Sequence, residues 1–152
     1  MQRPDNIFPE LCVNDGLAAL EFYKRAFGAL ERERMMSRDG SKLLHAQLTI
    51  EGHRFAVFDE FTATEGGTLE CPQTLGGTSV RLILEVDDAA AVVRQAVAAG
   101  ASVMMPVTEM FWGARYGKLR DPYGHEWGIN EQVQHLSTAE EAQRGNEYFT
   151  KS

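Results

Sequence analysis

The chain has 152 residues, of which 43% are hydrophobic, and this is enough apolar material for one compact domain or two tightly fused half-domains. Its formal net charge is −7, and the 15 Lys and Arg residues form no run, which argues against a nucleic-acid partner. No apolar stretch reaches a length of about eighteen residues, and the chain does not start with a basic segment followed by an apolar one, so neither a membrane span nor a secretory signal is expected. The expected location is therefore the cytoplasm.

The first half of the chain predicts a strand, a helix and three further strands. Asp15 is placed to cap a helix that starts near Leu17, and Gly28 stands where the C-terminal glycine of a helix belongs. The predicted strands are 7–13, 30–36, 43–50 and 54–60. Strand 43–50 alternates, with Leu44, Ala46, Leu48 and Ile50 on one face and His45, Gln47 and Thr49 on the other.

Residues 62–78 are rich in Gly, Thr and Pro, and this composition predicts a linker or a mobile flap. The second half of the chain then predicts a helix over 87–99 and strands over 80–86, 102–107, 111–118 and 126–132. Pro106 is expected to end the second of these strands. The spacing of Ser137 and Glu140 fits a capping box, which predicts a helix in the C-terminal tail.

An internal repeat relates the two halves. Residues 52–57 (GHRFAV) match residues 124–129 (GHEWGI), with aromatic and aliphatic residues at the same alternate positions. Residues 11–15 and 84–88 precede the two predicted helices in the same way. The repeat predicts two similar units that face each other across a pseudo-two-fold axis and enclose a cavity.

Segments 111–117 (FWGARYG) and 121–127 (DPYGHEW), taken with the repeat, closely resemble the PhnB-like branch of the glyoxalase/bleomycin-resistance/dioxygenase superfamily, also called vicinal oxygen chelate. The resemblance covers roughly Phe8 to Val133. It implies an α+β fold of two βαβββ modules with cupped mixed sheets, followed by a short C-terminal helix. The corresponding boundaries are 1–61 for the first module, 62–78 for the linker, 79–133 for the second module and 134–152 for the tail. It also implies a homodimer, often with shared or exchanged modules.

Metal-using members of that superfamily carry four ligands, usually His or Glu, on the first and last strands of each module. Aligning those strands places Phe8, Ala56, Arg81 and Gly128 at the four positions. None of these is a good ligand for a divalent cation, and an arginine would repel one. We therefore expect no metal or other cofactor. A register slip of two residues would bring in Glu10, Glu126 and Asn130, but the turns give it no support.

The strand faces opposite the helices are expected to line the cup, and they supply the candidate site residues. Catalytic candidates are His45, as a general acid or base, and Arg81. Candidates for substrate binding are Glu10, Gln47, Phe58, Trp112, Arg115 and Asn130. Several have a structural alternative: His45 as a hydrogen-bonded edge residue, and Glu10, Arg81 and Glu85 as an ion-pair group across the pseudo-two-fold. In the loop that carries Trp112 and Arg115, the alternative is that Arg115 pairs with Asp121 and Trp112 covers the end of the sheet.

Two cysteines, Cys12 and Cys71, are too few for a disulfide framework or a zinc site and are expected to be free thiols. A packing role is favoured for Cys12, because nothing near it in sequence would activate a thiolate.

Several functions are compatible with these features. The first is a bleomycin-resistance-like protein that holds a small organic ligand in a cup-shaped cavity without a metal. The alternative is a glyoxalase-type lyase or isomerase, in which Arg81 or Arg115 would stabilise a developing anion. A metal-dependent dioxygenase or lyase remains if the strand alignment is wrong, and a purely structural homodimer is a further reading. Partnered polar residues would favour binding, whereas an unpaired His45 next to an open arginine would favour catalysis.

Overall fold

The fold consists of two βαβββ modules and a C-terminal helix, as given by a computed structural model that describes residues 6–151. The strands are β1 (Glu10–Val13), β2 (Leu30–Met36), β3 (Leu43–Ile50), β4 (His53–Asp59), β5 (Arg81–Glu85), β6 (Ser102–Glu109), β7 (Ala114–Arg120) and β8 (Glu126–Gln132). The helices are α1 (Gly16–Phe27), α2 (Pro72–Leu75), α3 (Ala89–Ala99) and α4 (Thr138–Thr150), with a 3-10 turn at Ala63–Glu65.

Each module forms its own four-stranded mixed sheet, and the two sheets have the same topology. The strand orders are β1-β4-β3-β2 and β5-β8-β7-β6. In both sheets the opening strand pairs in parallel with the closing strand, and the other pairs are antiparallel. The α+β fold of two repeated modules with a C-terminal helix is therefore confirmed.

The two module helices begin at equivalent acidic caps. The Asp15 carboxylate accepts a hydrogen bond from the amide of Ala18 at 3.2 Å, and the Asp88 carboxylate accepts one from Ala91 at 3.0 Å. Each cap satisfies an amide that the helix leaves without a partner in its first turn. Gly28 ends α1 at a φ of 68°, a left-handed conformation that favours glycine.

Three local predictions are wrong. The opening strand starts at Glu10 rather than Ile7. In β3 Leu43 is fully buried and Leu44 is 39% exposed, because the register against β2 shifts beside this position and breaks the strict alternation. Strand β6 continues through Pro106 to Glu109. A proline, which has no backbone N–H, is tolerated there because β6 is an edge strand and makes no hydrogen bonds to a neighbouring strand along its outer side.

One hydrophobic core joins the two modules. Helices α1 and α3 pack against each other, and small side chains at Ala19, Ala89 and Ala96 are completely buried. Trp127 of β8 lies in the same core as Tyr23 of α1. Because the core is shared, the modules stabilise each other.

The linker is held against the first module. The Glu60 carboxylate accepts hydrogen bonds from the amide of Cys71 and, at 2.8 Å, from the hydroxyl of Thr74. Lys42 forms a 3.1 Å ion pair with Glu65 of the 3-10 turn. These contacts attach the linker to the first module. Within residues 6–151, the helices are too short or too polar to cross a membrane.

Candidate functional site

The sheet faces predicted to line a cup are formed by rows of side chains across neighbouring strands. In the first sheet Glu10 and Gln47 both pair with Ala56, one from each side. In the second sheet Glu85 and Tyr116 both pair with Asn130. Strand register therefore places Glu10 and Gln47 in one row, and Phe58 lies two positions further along the same face of β4, opposite Cys12.

The two catalytic candidates each have an acidic neighbour in their own module. Nε2 of His45 lies 3.4 Å from the Glu33 carboxylate on β2. Arg81 forms a 3.2 Å ion pair with Glu126 on β8. Arg81 therefore pairs with a residue on the neighbouring strand of its own sheet. This differs from the ion-pair alternative, in which Glu10, Arg81 and Glu85 would pair across the pseudo-two-fold. Glu10 itself is exposed on β1.

Trp112, Asn130 and Glu85 form a polar chain across the second sheet. The Asn130 amide donates to the Glu85 carboxylate at 2.8 Å, and the Trp112 indole N–H lies 3.5 Å from the Asn130 carbonyl oxygen. Arg115 forms a 3.1 Å ion pair with Glu131 on the neighbouring strand. The alternative pairing of Arg115 with Asp121 is thus wrong, because Asp121 is buried among other donors.

The residues at the four expected ligand positions do not fit a metal. Ala56 is completely buried and has no donor atom, and Arg81 is a cation held by Glu126. Gly128 lies beneath the ring of Tyr116, so that even a Cβ atom there would come within 2.8 Å of a ring carbon. Within the described part of the chain, no three His, Cys, Asp or Glu side chains come together in an arrangement for a metal.

Cys12 is a buried thiol on the inner face of β1 and is 4% exposed. Burial, with smaller contributions from the nearby Cys71, Glu60 and Asp59, raises its pKa from 9.0 to about 12. The sulfur lies 3.7 Å from the carbonyl oxygen of Leu69 in the linker. A thiol with so high a pKa is a poor nucleophile near neutral pH, which supports the packing role predicted for it.

A cavity of about 610 Å³ lies between the two modules, and we call it the intermodule cavity. Its volume is within the range of about 300–1,000 Å³ typical of small-molecule sites. The apolar side chains that line it come from both modules: Phe27, Phe55, Leu82, Leu84, Val92 and Trp127. The cavity shares Glu85 with the polar chain of the second sheet, but none of the eight candidate site residues lines it.

Aromatic rings form one wall of the intermodule cavity. Trp127 lies with its ring centroid 4.7 Å from that of Phe27 and 6.0 Å from that of Phe55. Phe55 and Trp127 are 4% and 2% exposed, so their positions are fixed by packing. Rigid aromatic surfaces bind flat apolar groups at a low cost in conformational entropy.

Charged side chains surround the intermodule cavity unevenly. Four acidic residues belong to its lining: Glu51, Glu85, Asp87 and Asp88. The basic side chains there are His53 and Arg54, and the Arg54 guanidinium stacks 4.1 Å above the ring of Phe8. The cavity therefore combines an apolar wall with a mostly acidic lining.

Buried hydrogen bonds hold the modules in register around this cavity. The Tyr23 hydroxyl donates to the Asp121 carboxylate at 2.5 Å, and the Trp127 indole donates to the same carboxylate at 2.9 Å. Burial raises the pKa of Tyr23 well above its ordinary value, and the charge of Asp121 raises it further. The His125 ring donates from Nε2 to the Cys12 carbonyl oxygen at 2.8 Å, a contact between modules.

The alternation of β4 and β8 predicts that Phe55 and Trp127 face the helices, and this is confirmed, because their ring centroids lie 5.4 and 5.6 Å from that of Tyr23 on α1. The periodicity does not show that the same packed residues border a cavity between the modules. A signal was present in the repeat, since the two aromatic residues occupy equivalent positions of the two modules. Equivalent positions near a pseudo-two-fold axis meet across it, so this aromatic pair marked the seam between the modules. The two histidines His53 and His125 are also equivalent, and each lies at the seam.

Comparisons with known proteins agree with this architecture. A family model described as Glyoxalase/Bleomycin resistance protein/Dioxygenase superfamily matches residues 6–129. The chain is 39% identical over 132 residues to the uncharacterized protein Rv0887c of Mycobacterium tuberculosis, an alignment that covers 87% of this chain and 77% of that protein. It is also 34% identical to the Arabidopsis thaliana protein At5g48480, covering 75% of this chain and 70% of that protein.

Solved structures show the same fold. TioX from Micromonospora sp. ML1 superposes with a TM-score of 0.66 at 26% identity, covering 85% of this chain and 99% of TioX. A PhnB protein from Bacillus cereus superposes with a TM-score of 0.60 at 19% identity, covering 84% of this chain and 99% of that one. The second likeness concerns the fold alone.

Proposed function

The chain belongs to the Glyoxalase/Bleomycin resistance protein/Dioxygenase superfamily, and we propose that it binds a small organic ligand in the intermodule cavity without a metal. The observation that carries this proposal is the cavity of about 610 Å³, whose partly exposed apolar side chains come from both modules, among them Phe27, Leu82 and Val92. Its volume is typical of sites for drug-sized organic ligands, and its partly exposed apolar side chains offer such a ligand contact area.

The polar side chains of the sheet faces support binding more than catalysis. His45 lies next to Glu33, Arg81 is paired with Glu126, and Asn130 is hydrogen-bonded to Glu85. A general acid or base must reach the substrate proton, and a group that stabilises an anion must face the reacting atoms. The alternative of a lyase or isomerase that uses His45 therefore has less support.

Ligand binding is tested by calorimetric titration with 1-naphthalenemethanol, a neutral bicyclic probe. Ala91 lines the cavity on α3, so Ala91→Phe should fill it, whereas Ala90 is exposed on the same helix and does not line it. We expect the wild type and Ala90→Phe to bind the probe and Ala91→Phe to lose it. Equal binding by Ala91→Phe, or a wild type that binds neither this probe nor its positively and negatively charged analogues, would overturn the proposal.

The same titration separates the intermodule cavity from the sheet faces. If the ligand instead lies on the predicted cup face, Arg81→Ala should weaken binding and Ala91→Phe should not. We expect the opposite, because Arg81 does not line the intermodule cavity.

Independence from metals is tested on the purified protein by elemental analysis and by thermal-shift titration with Mg, Mn, Fe, Ni and Zn. Since the four aligned positions carry Phe8, Ala56, Arg81 and Gly128, we expect no stoichiometric metal and no increase in melting temperature. Tightly bound metal in equimolar amount would contradict this and restore the metal-dependent dioxygenase or lyase.

We also propose a homodimer. Large apolar side chains are exposed on the edge strands β2 and β6: Val103 is 47%, Met35 60% and Leu30 57% exposed. A second copy that covered them would remove this apolar surface from water. Light scattering after gel filtration should give twice the mass of the chain, and a monomer at micromolar concentration would refute the proposal.

A further inference from the structure

From the charges around the intermodule cavity, we infer that its ligand is an amphipathic organic cation: an aromatic body with an ammonium group. This inference rests on the proposed function, since it concerns the ligand of the same cavity. The sheet-face candidates had suggested no particular charge, because they include Glu10 as well as Arg81 and Arg115.

Side chains decide the sign of the electrostatic potential in the cavity, because the partial charges of the two helix ends that reach it nearly cancel. The C-terminus of α1 reaches the cavity at Phe27 and Gly28, and the N-terminus of α3 reaches it at Asp88 and Ala91. A helix end carries roughly half a unit charge, negative at the C-terminus and positive at the N-terminus. These two contributions have opposite signs at one cavity, so the four carboxylates dominate.

The carboxylates differ in how free they are to meet a ligand. Asp88 caps α3 and Glu85 accepts a hydrogen bond from Asn130, so both already have partners. Glu51 and Asp87 are exposed residues that lie on opposite modules, one in the β3–β4 turn and the other just before α3. A cation at the cavity mouth can therefore approach a carboxylate from each module while its aromatic body contacts the partly exposed apolar side chains Phe27, Leu82 and Val92.

The opposing positive charge is held in place. Arg54 stacks on Phe8, and its guanidinium is thereby fixed beside that ring. Acidic side chains outnumber basic ones in the lining by four to two, and the whole chain carries a formal charge of −7. An anionic ligand would approach against both the local and the overall potential.

The test compares three naphthalene probes that differ in charge: 1-naphthylmethylamine, protonated at neutral pH, the neutral 1-naphthalenemethanol, and the anionic 1-naphthoate. Two carboxylates near the mouth are expected to make the amine bind about tenfold tighter than the alcohol, and the acid should bind more weakly than the alcohol. Added salt should reduce the preference for the amine.

Neutralising variants locate the charge effect. Glu51→Gln and Asp87→Asn should each weaken the amine about threefold and leave the alcohol unchanged. Glu70→Gln is the matched control, because Glu70 is exposed but does not line the cavity, and it should leave both affinities unchanged.

Failure of the inference differs from failure of the proposed function. If the alcohol binds and Ala91→Phe abolishes it, but the acid binds as well as the amine, the cavity binds organic ligands and the inference of a cation is overturned. Equal losses for the amine in Glu70→Gln and Asp87→Asn would also overturn it, since the preference would then reflect net charge alone. If none of the three probes binds, the proposed function fails, and the inference fails with it.

Discussion

Tyr23 and Asp121 stand 98 positions apart and share a buried hydrogen bond of 2.5 Å that joins α1 of the first module to the β7–β8 turn of the second. The same carboxylate accepts from the Trp127 indole at 2.9 Å and from the amides of Tyr123 and His125 at 2.9 and 3.0 Å. Asp121 is thus a buried anion with four donors, two of which are side chains of the shared core. It fixes the orientation of Trp127 in the cavity wall.

Removing the Asp121 charge should destabilise the whole fold. In Asp121→Asn the amide group would face at least one donor, so we expect the free energy of unfolding to fall by about 3 kcal/mol. Tyr23→Phe removes one of the four hydrogen bonds and should cost about 1–2 kcal/mol. Urea denaturation of both variants and of the double variant gives the coupling energy. Additive losses would show that the two side chains do not interact.

Stability should decrease at alkaline pH. Burial raises the pKa of Cys12 from 9.0 to about 12 and that of Tyr123 from 10.0 to about 12, so the unfolded chain releases these protons before the folded protein does. The contribution of these two groups to the free energy of unfolding should therefore be constant below about pH 9 and fall above it, by up to about 1.4 kcal/mol per pH unit for each group.

The variant Cys12→Ala isolates the contribution of Cys12 to this loss of stability. Between about pH 9 and 10 the thiol of Cys12 contributes before the tyrosines titrate in the unfolded chain, so Cys12→Ala should flatten the profile there. Tyr123→Phe should alter it only above about pH 10. Urea unfolding over this range is the measurement, and an unchanged slope in Cys12→Ala would contradict the assigned pKa.

The closing strand of each module stabilises the start of that module's helix. The Asp59 carboxylate accepts from the Gly16 amide at 2.6 Å, and the Glu131 carboxylate accepts from the Ala89 amide at 2.9 Å. The Asp59 carboxylate also accepts from the buried amide of Leu43 at 2.6 Å. The first module therefore depends more strongly on its carboxylate than the second.

We expect Asp59→Asn to lower the free energy of unfolding by about 2–3 kcal/mol and Glu131→Gln by about 1 kcal/mol. Asp59 is 9% exposed and accepts hydrogen bonds from two backbone amides, so its replacement by asparagine would leave both amides without an anionic acceptor. Glu131 also pairs with the exposed Arg115, and an exposed ion pair contributes little. Chemical denaturation should rank the two variants in this order, and the reverse order would contradict the assignment.

Position 128 requires glycine, because the ring of Tyr116 packs directly against it. An added Cβ would lie within 2.8 Å of a ring carbon and closer still to the hydroxyl, so Gly128→Ala should cost about 1–3 kcal/mol. Gly77→Ala is the control, since nothing lies within 4 Å of a Cβ atom there, and it should be nearly neutral. If the hydroxyl is the main obstacle, adding Tyr116→Phe to Gly128→Ala should recover part of the loss. A stable Gly128→Ala would show that Tyr116 does not cover this strand.

The sequence by itself determined the repeat, the order of the strands and helices within each module, and the helix cap at Asp15. These features depend on residues close together in the chain or on matching periodicities, which a sequence displays directly. Local errors occurred where tertiary context decided, as at Leu44, where a register shift interrupted the alternation, and at Pro106, whose strand lies at a sheet edge.

Only the tertiary structure decided where the cavity lies and which partners the buried charges have. The Asp121 carboxylate meets Tyr23 over 98 positions, and Asp59 meets Gly16 over 43. The first pairing depends on how the two modules pack, and the second on how α1 packs against its own sheet, and the periodicity of a single strand or helix shows neither. In the same way, the alternation correctly places Phe55 and Trp127 against the helices, but only the packing of the modules shows that these residues border a cavity.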